Sequence, residues 1–153
     1  MIEMLDPKTL TVFITGASAG FGAATCRRFA QAGARVVAVG RRADRLEALT
    51  KELGERCHPV TLDVRNRNAV EQAVTDLPAG FRDIDVVVAN AGLALGLQPA
   101  YEADLSDWDE MVDTNIKGLI YTVRAVLPGM VARDRGHIVT IGSVAADYPY
   151  PGG

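Results

Sequence analysis

The chain has 153 residues, 48% hydrophobic and 23% charged, the composition of one soluble globular domain long enough to bury a sizeable core. With 16 basic and 19 acidic residues its formal charge is -3, which excludes the strongly positive field that wraps nucleic acid or holds a protein on an anionic membrane. No apolar run is long enough to span a bilayer, and the opening MIEMLDPKTL lacks the basic and apolar regions of a secretory signal, so the expected compartment is the cytoplasm.

The first apolar run, LTVFIT (10–15), is rich in Val, Ile and Thr and reads as a buried parallel strand. A glycine-rich turn follows it, and GAATCRRFAQAG (22–33) then has helical spacing. ARVVAVG (34–40) is the second strand; in the next helix, ADRLEALTKELG (43–54), Leu46, Leu49 and Leu53 line one face and Gly54 supplies a stop. CHPVTL (57–62), the helical NRNAVEQAVTDL (66–77) and the strand IDVVVAN (84–90) complete a β-α-β-α-β-α-β alternation. That alternation predicts an α/β fold, a parallel sheet with helices on both faces, in one continuous domain over residues 1–153. Further on, SDWDEMV reads as a short helix with Ser106 as N-cap and Asp109 three residues later. A longer helix is expected after Asn115, because Ile116, Leu119, Ile120, Val123, Leu127, Met130 and Val131 recur at three- and four-residue steps. Pro128 should kink it or end it early. Trp108 and this stripe read as core in preference to a partner or cofactor surface. HIVTIG (137–142) is the fifth strand.

The strongest chemical signal is FITGASAGFGAAT, in which a strand ends at Thr15 and passes through Gly16, Gly20 and Gly22 into a helix. Glycine lets backbone turn sharply and approach a phosphate, and the helix N-terminus offers unpaired N–H groups and the positive end of its dipole. The spacing T-G-x-x-x-G-x-G differs from the common G-x-G-x-x-G, so its weight comes from its place between the first strand and first helix. The plain alternative is a turn that serves only chain reversal. At the end of the second strand, where an acidic residue would hold the ribose hydroxyls of NAD, stand Gly40, Arg41 and Arg42. Guanidinium groups grip a 2′-phosphate with charge-assisted hydrogen bonds, so NADP is expected over NAD, unless the two arginines are simply solvated charges at a helix start. Cys26 and Cys57 lack any metal-ligand spacing and read as reduced, part-buried thiols, and His58 and His137 read as structural.

Taken in order, TGASAGFG, LDV, ANAG, DTNIKG and GHIVTIGS resemble the motifs of the short-chain dehydrogenase/reductases. The longer stretches GRRADRLEAL, NAGLALG and TNIKGLIYTVRAVLPGMV are most similar to those of its NADP-dependent 3-hydroxy acid (serine, allo-threonine) dehydrogenases. The resemblance implies a Rossmann-like doubly wound sheet of order 3-2-1-4-5 as far as the fifth strand. It implies a cofactor site of Thr15, Gly16, Ser18, Gly20, Phe21 and Gly22, with Arg41 and Arg42, then Leu62, Asp63 and Val64 at the adenine, then Asn90, Ala91 and Gly92. Ala89 departs from the family's usual N-N-A-G. Asn115 is implied to hold helix geometry and order a water, and Ser143 to hydrogen-bond the substrate oxygen. Local alternatives exist: Asp63 as a helix N-cap, Asn90 and Gly92 as turn residues, and Asn115 as cap of the long helix.

The family's chemistry is hydride exchange between the nicotinamide and a carbinol carbon of a small hydroxy acid or alcohol. A tyrosine exchanges the hydroxyl proton, and a lysine four residues on makes that phenol, with its ordinary pKa of about 10, a usable base. No tyrosine here is followed four residues later by lysine; Tyr148 and Tyr150 come nearest and do not qualify. The expectation is therefore a fragment of such an oxidoreductase, with a non-catalytic NADP(H)-binding module or an inactive remnant as alternatives. Ending after the fifth strand would leave that strand's edge unpaired. Full-length relatives are implied to be homo-oligomers, partly through the long helix.

Overall fold

The computed structural model describes residues 6–148. β1 (Thr11–Thr15) is buried at all five positions, as a strand covered on both faces must be. It lies at the centre of a five-stranded sheet of order β3-β2-β1-β4-β5, with β2 (Arg35–Gly40), β3 (Cys57–Thr61), β4 (Val86–Ala89) and β5 (His137–Thr140). Every pairing is parallel, so each connection crosses over as a helix: α1 (Gly20–Gln31), α2 (Ala43–Leu53) and α3 (Arg67–Thr75) between the first four strands. The expected strands and first three helices are therefore present, each within two residues of its expected ends.

Strand period sorts the core into two layers. Val12 and Ile14 pair with Val36 and Ala38 on one side and Val86 and Val88 on the other, and this row packs on Cys26 and Ala30 of α1 and Leu46 and Leu49 of α2. Phe13, in register with Val37 and Val87, faces the other way with Val39, onto Val126 and Met130 further along the chain and Val74 of α3. Gly54 ends α2 with φ +65°, its N–H donating to the Thr50 carbonyl, as its expected role requires.

The segment after β4 departs from expectation in three ways. The cap of α4 (Leu105–Met111) is Asp104, whose carboxylate accepts from the Ser106 N–H (2.9 Å) and hydroxyl (2.7 Å); Ser106 lies inside the helix. No separate helix begins after Asn115: α4 runs into a π-helical turn, Val112–Lys117, and on into α5 (Gly118–Ala132), with helical backbone at each junction. Pro128, expected to kink this helix or end it early, lies inside α5, which continues to Ala132. The buried row is Thr114, Gly118, Thr122, Val126 and Met130, at every fourth position. Of the expected core stripe only Met130 is buried; Leu119 and Val123 are half-buried, and Ile116, Ile120, Leu127 and Val131 are exposed, as is Trp108. Gly118 lets this helix pack closely on the turn after β3, since a Cβ there would lie 2.6 Å from Val64 Cγ2.

Candidate cofactor and active site

Parallel strands all end on one side of the sheet, and there the loops enclose a cavity of about 810 Å³. The turn after β1 contributes Gly16, Ser18, Gly20 and Phe21; the end of β2, Arg41 and Arg42; the turn after β3, Leu62, Asp63 and Val64. Asn90, Ala91 and Gly92 follow β4, Asn115 comes from the π turn, and Ser143 follows β5. Every site residue expected from the sequence lines this space except Thr15 and Gly22, which lie behind it.

Those two hold the cradle in shape. Thr15 Oγ1 accepts from the backbone N–H groups of Asn90 (3.0 Å) and Ala91 (2.9 Å), and Asn90 Nδ2 donates to the Thr15 carbonyl (2.9 Å), so the ends of β1 and β4 are knotted together. A Cβ on Gly22 would come 2.3 Å from the Gly16 carbonyl oxygen and 2.7 Å from Asn90 Nδ2, so only glycine lets α1 start against this knot. Gly16 has φ +68° and Gly20 φ +52°, both in the region that favours glycine, and a Cβ on Gly20 would meet nothing within 4 Å. The N-cap of α1 is Ala19, which has no side-chain acceptor, so first-turn N–H groups and the positive helix end remain for an anion.

Charged side chains order the other end of the cavity. Arg42 donates through Nε (3.2 Å) and Nη2 (3.0 Å) to Ser18 Oγ and has no acidic partner among the described residues. Arg41 lies 3.7 Å from Glu110 of α4. Asp63 accepts from the Arg65 N–H (3.0 Å) and from Arg65 Nε (2.9 Å) and Nη2 (2.6 Å), and this guanidinium holds its carboxyl below the usual carboxylate range. Asp63 is not the cap of α3: that is Asn66, whose side chain accepts from the Ala69 N–H at 3.1 Å.

Asn115 is not a helix cap either, since it lies inside the continuous helix. Its Oδ1 accepts from the Leu93 N–H (2.9 Å) and its Nδ2 donates to the Leu93 carbonyl (2.8 Å), clamping the loop after β4. Beside it, Thr114 Oγ1 is buried with no hydrogen-bond partner among the described residues, and the residue lines the cavity. Ser143 is exposed at the cavity wall and accepts from the Ala145 N–H at 3.2 Å. Tyr148 is exposed, and Tyr150 lies outside the described residues. Thr114 and Leu93 line the cavity and Glu110 reaches it through Arg41, and none of the three is signalled by the sequence, since each comes from a segment whose local pattern encodes only helix or loop. Arg65 does carry a local signal, a basic residue two positions after an acid in a turn.

An open glycine turn at a helix N-terminus and an arginine with no acidic partner among the described residues suit a phosphate-bearing dinucleotide. The sequence profile described as short chain dehydrogenase matches residues 10–153. The chain belongs to the short-chain dehydrogenase family. It is 59% identical over 144 residues to the NADP-dependent 3-hydroxy acid dehydrogenase YdfG of Salmonella typhi, covering 94% of this chain and 58% of that protein. Against serine 3-dehydrogenase of Agrobacterium fabrum the identity is 52%, over 94% of this chain and 57% of that one. Among solved structures, the closed form of a serine dehydrogenase complexed with NADP+ superposes with a TM-score of 0.93 at 54% identity, covering 94% and 58%. The chain thus spans somewhat over half the length of the curated relatives it matches. Like other family members it has a Rossmann-like sheet, and among its described residues no helix is long and apolar enough to cross a membrane and no group of three His, Cys, Asp or Glu could hold a metal.

Proposed function

We propose that the protein is an NADP-dependent oxidoreductase acting on the hydroxyl of a small 3-hydroxy acid such as serine. The observation that carries the cofactor choice is the pair Arg41 and Arg42 at the end of β2, with Arg42 tied to Ser18 of the glycine turn and free of any acidic partner among the described residues. The substrate class rests on similarity to relatives named for 3-hydroxy acids and serine.

In this reading the first turn of α1 receives the pyrophosphate, with Gly16 and Gly20 letting it approach the backbone. Arg41 and Arg42 hold the 2′-phosphate, Asp63 with Leu62 and Val64 borders the adenine, and Asn90, Ala91 and Gly92 support the middle of the cofactor. The bound nicotinamide would supply or accept the hydride. Ser143 donates to the substrate oxygen as charge builds on it, and Asn115, by gripping Leu93, keeps the loop after β4 in place. The exposed Ile116, Ile120, Leu127 and Val131 support self-association along α5.

The test is reduction of NADP+ with serine or 3-hydroxypropionate by the protein encoded by the whole reading frame. Turnover with NADP+ and either acid is expected. Turnover only with NAD+, or only with alcohols lacking a carboxylate, would overturn the proposal.

A further inference from the structure

Arg41 and Arg42 are adjacent in sequence and unequal in surroundings. Arg42 donates twice to a neutral hydroxyl, Ser18 Oγ. Arg41 shares one oxygen, Glu110 Oε1, with Arg65: Arg41 Nη1 lies 3.7 Å from it and Arg65 Nη1 3.2 Å. Arg65 in turn is paired through two of its nitrogens with Asp63. Four charges from three segments therefore form a chain, Asp63 to Arg65 to Glu110 to Arg41, at the same end of the cavity where β2 delivers its arginines.

The two ends of this chain differ in strength. Arg65 keeps Asp63 whatever Glu110 does, since Asp63 Oδ2 accepts from both its Nε (2.9 Å) and its Nη2 (2.6 Å), and short charge-assisted hydrogen bonds of this sort are the stronger kind. Arg41 meets Glu110 through one long, half-exposed contact, of the kind most readily exchanged for a better anion. A 2′-phosphate drawn to Arg41 brings a second negative group to a guanidinium that Glu110 already partly neutralises.

We infer that Glu110 is a specificity-determining residue of the cofactor site, which competes with the 2′-phosphate for Arg41 and so limits the preference for NADP(H) over NAD(H). This rests on the NADP reading above. Arg42 is the uncontested anchor, and Arg41 is the adjustable one. Removing the Glu110 charge frees Arg41 for the phosphate and leaves the Asp63–Arg65 pair intact.

The experiment is fluorescence titration of NADPH and of NADH into the chain and its Glu110→Gln, Arg41→Ala and doubly substituted variants, with Glu110→Ala as a second neutral replacement and a thermal melt of each. At low salt, Glu110→Gln should tighten NADPH about threefold, in line with the strength of an exposed ion pair, and NADH hardly at all. In the Arg41→Ala background the gain should disappear, since the coupling runs through Arg41. At about 1 M salt it should shrink towards nothing, because the Debye length there is about 3 Å. Unchanged or weaker NADPH binding in both neutral variants, equal tightening of NADH, or a gain that survives Arg41→Ala would each overturn the inference. A wild-type chain without preference for NADPH would overturn the NADP reading and the inference with it, whereas a clear preference that Glu110→Gln leaves unmoved removes the inference alone.

Discussion

Replacing Gly22 with alanine should damage the cofactor cradle and the fold together, and the two opposing terms can be weighed. Alanine is the better helix former by about 1 kcal/mol, and Gly22 lies in the first turn of α1. Against this, the new methyl would sit 2.3 Å from the Gly16 carbonyl oxygen, which is backbone, and 2.7 Å from Asn90 Nδ2, a side-chain end held in place by its hydrogen bond to the Thr15 carbonyl. Relieving that overlap means moving the glycine turn away from the β1–β4 knot, which places the cost at the upper end of overpacking, about 3 kcal/mol. The net loss is about 2 kcal/mol, a fall in Tm of roughly 4–8 °C for a domain of this size. Circular dichroism melts read the stability, and NADPH titration reads the displaced turn. Gly80→Ala is the control, because a Cβ there meets nothing within 4 Å and its backbone is ordinary. A Gly22→Ala chain that melts within a degree of wild type and binds NADPH unchanged would refute the packing argument.

Thr15→Val keeps shape but leaves the part-buried Asn90 and Ala91 amides without their acceptor; a loss of about 1 kcal/mol for each stranded donor is expected, seen in the melt and as faster hydrogen exchange at those two amides. Arg42→Ala should weaken NADPH more than Arg41→Ala does, because only Arg41 already spends part of its charge on a carboxylate, and neither should change NADH binding comparably; equal effects on both cofactors would count against the 2′-phosphate assignment. Burial pushes the Cys26 thiol up to about 12, whereas in the unfolded chain it ionises from about pH 8.5. The unfolded state then binds fewer protons, so stability present below about pH 8.5 is lost as pH rises toward the folded value, by about 1.4 kcal/mol per pH unit for this one group. Denaturant titrations across that range check it, and Cys26→Ala should flatten the slope.

The strands were legible because Val12, Ile14, Val36, Val37, Val86 and Val87 sit in short apolar runs that only a sheet covered on both faces can bury. The glycine turn was legible because its residues act locally, through their own φ values and missing Cβ atoms. The helix from Leu105 to Ala132 was not: apolar residues at helical spacing select Ile116 and Ile120, whereas the packed row begins with Thr114, Gly118 and Thr122, small or polar side chains that carry no hydrophobic signal. Asp104 and Ser106 are both good capping types two positions apart, and nothing local decides between them until the Asp104 carboxylate takes both Ser106 donors. Glu110 is illegible in the sequence for a different reason. Its partners Arg41 and Arg65 lie on other segments, and only the crossover topology brings them to one oxygen.

The central claim, that this cavity is built for a dinucleotide carrying a 2′-phosphate, is tested most directly by titrating the chain with NADPH and NADH side by side at low salt. Charge-assisted hydrogen bonds of about 1.5–3 kcal/mol from Arg41 and Arg42 predict NADPH binding tighter by roughly tenfold or more. Equal affinity for the two, or binding of neither, would contradict it.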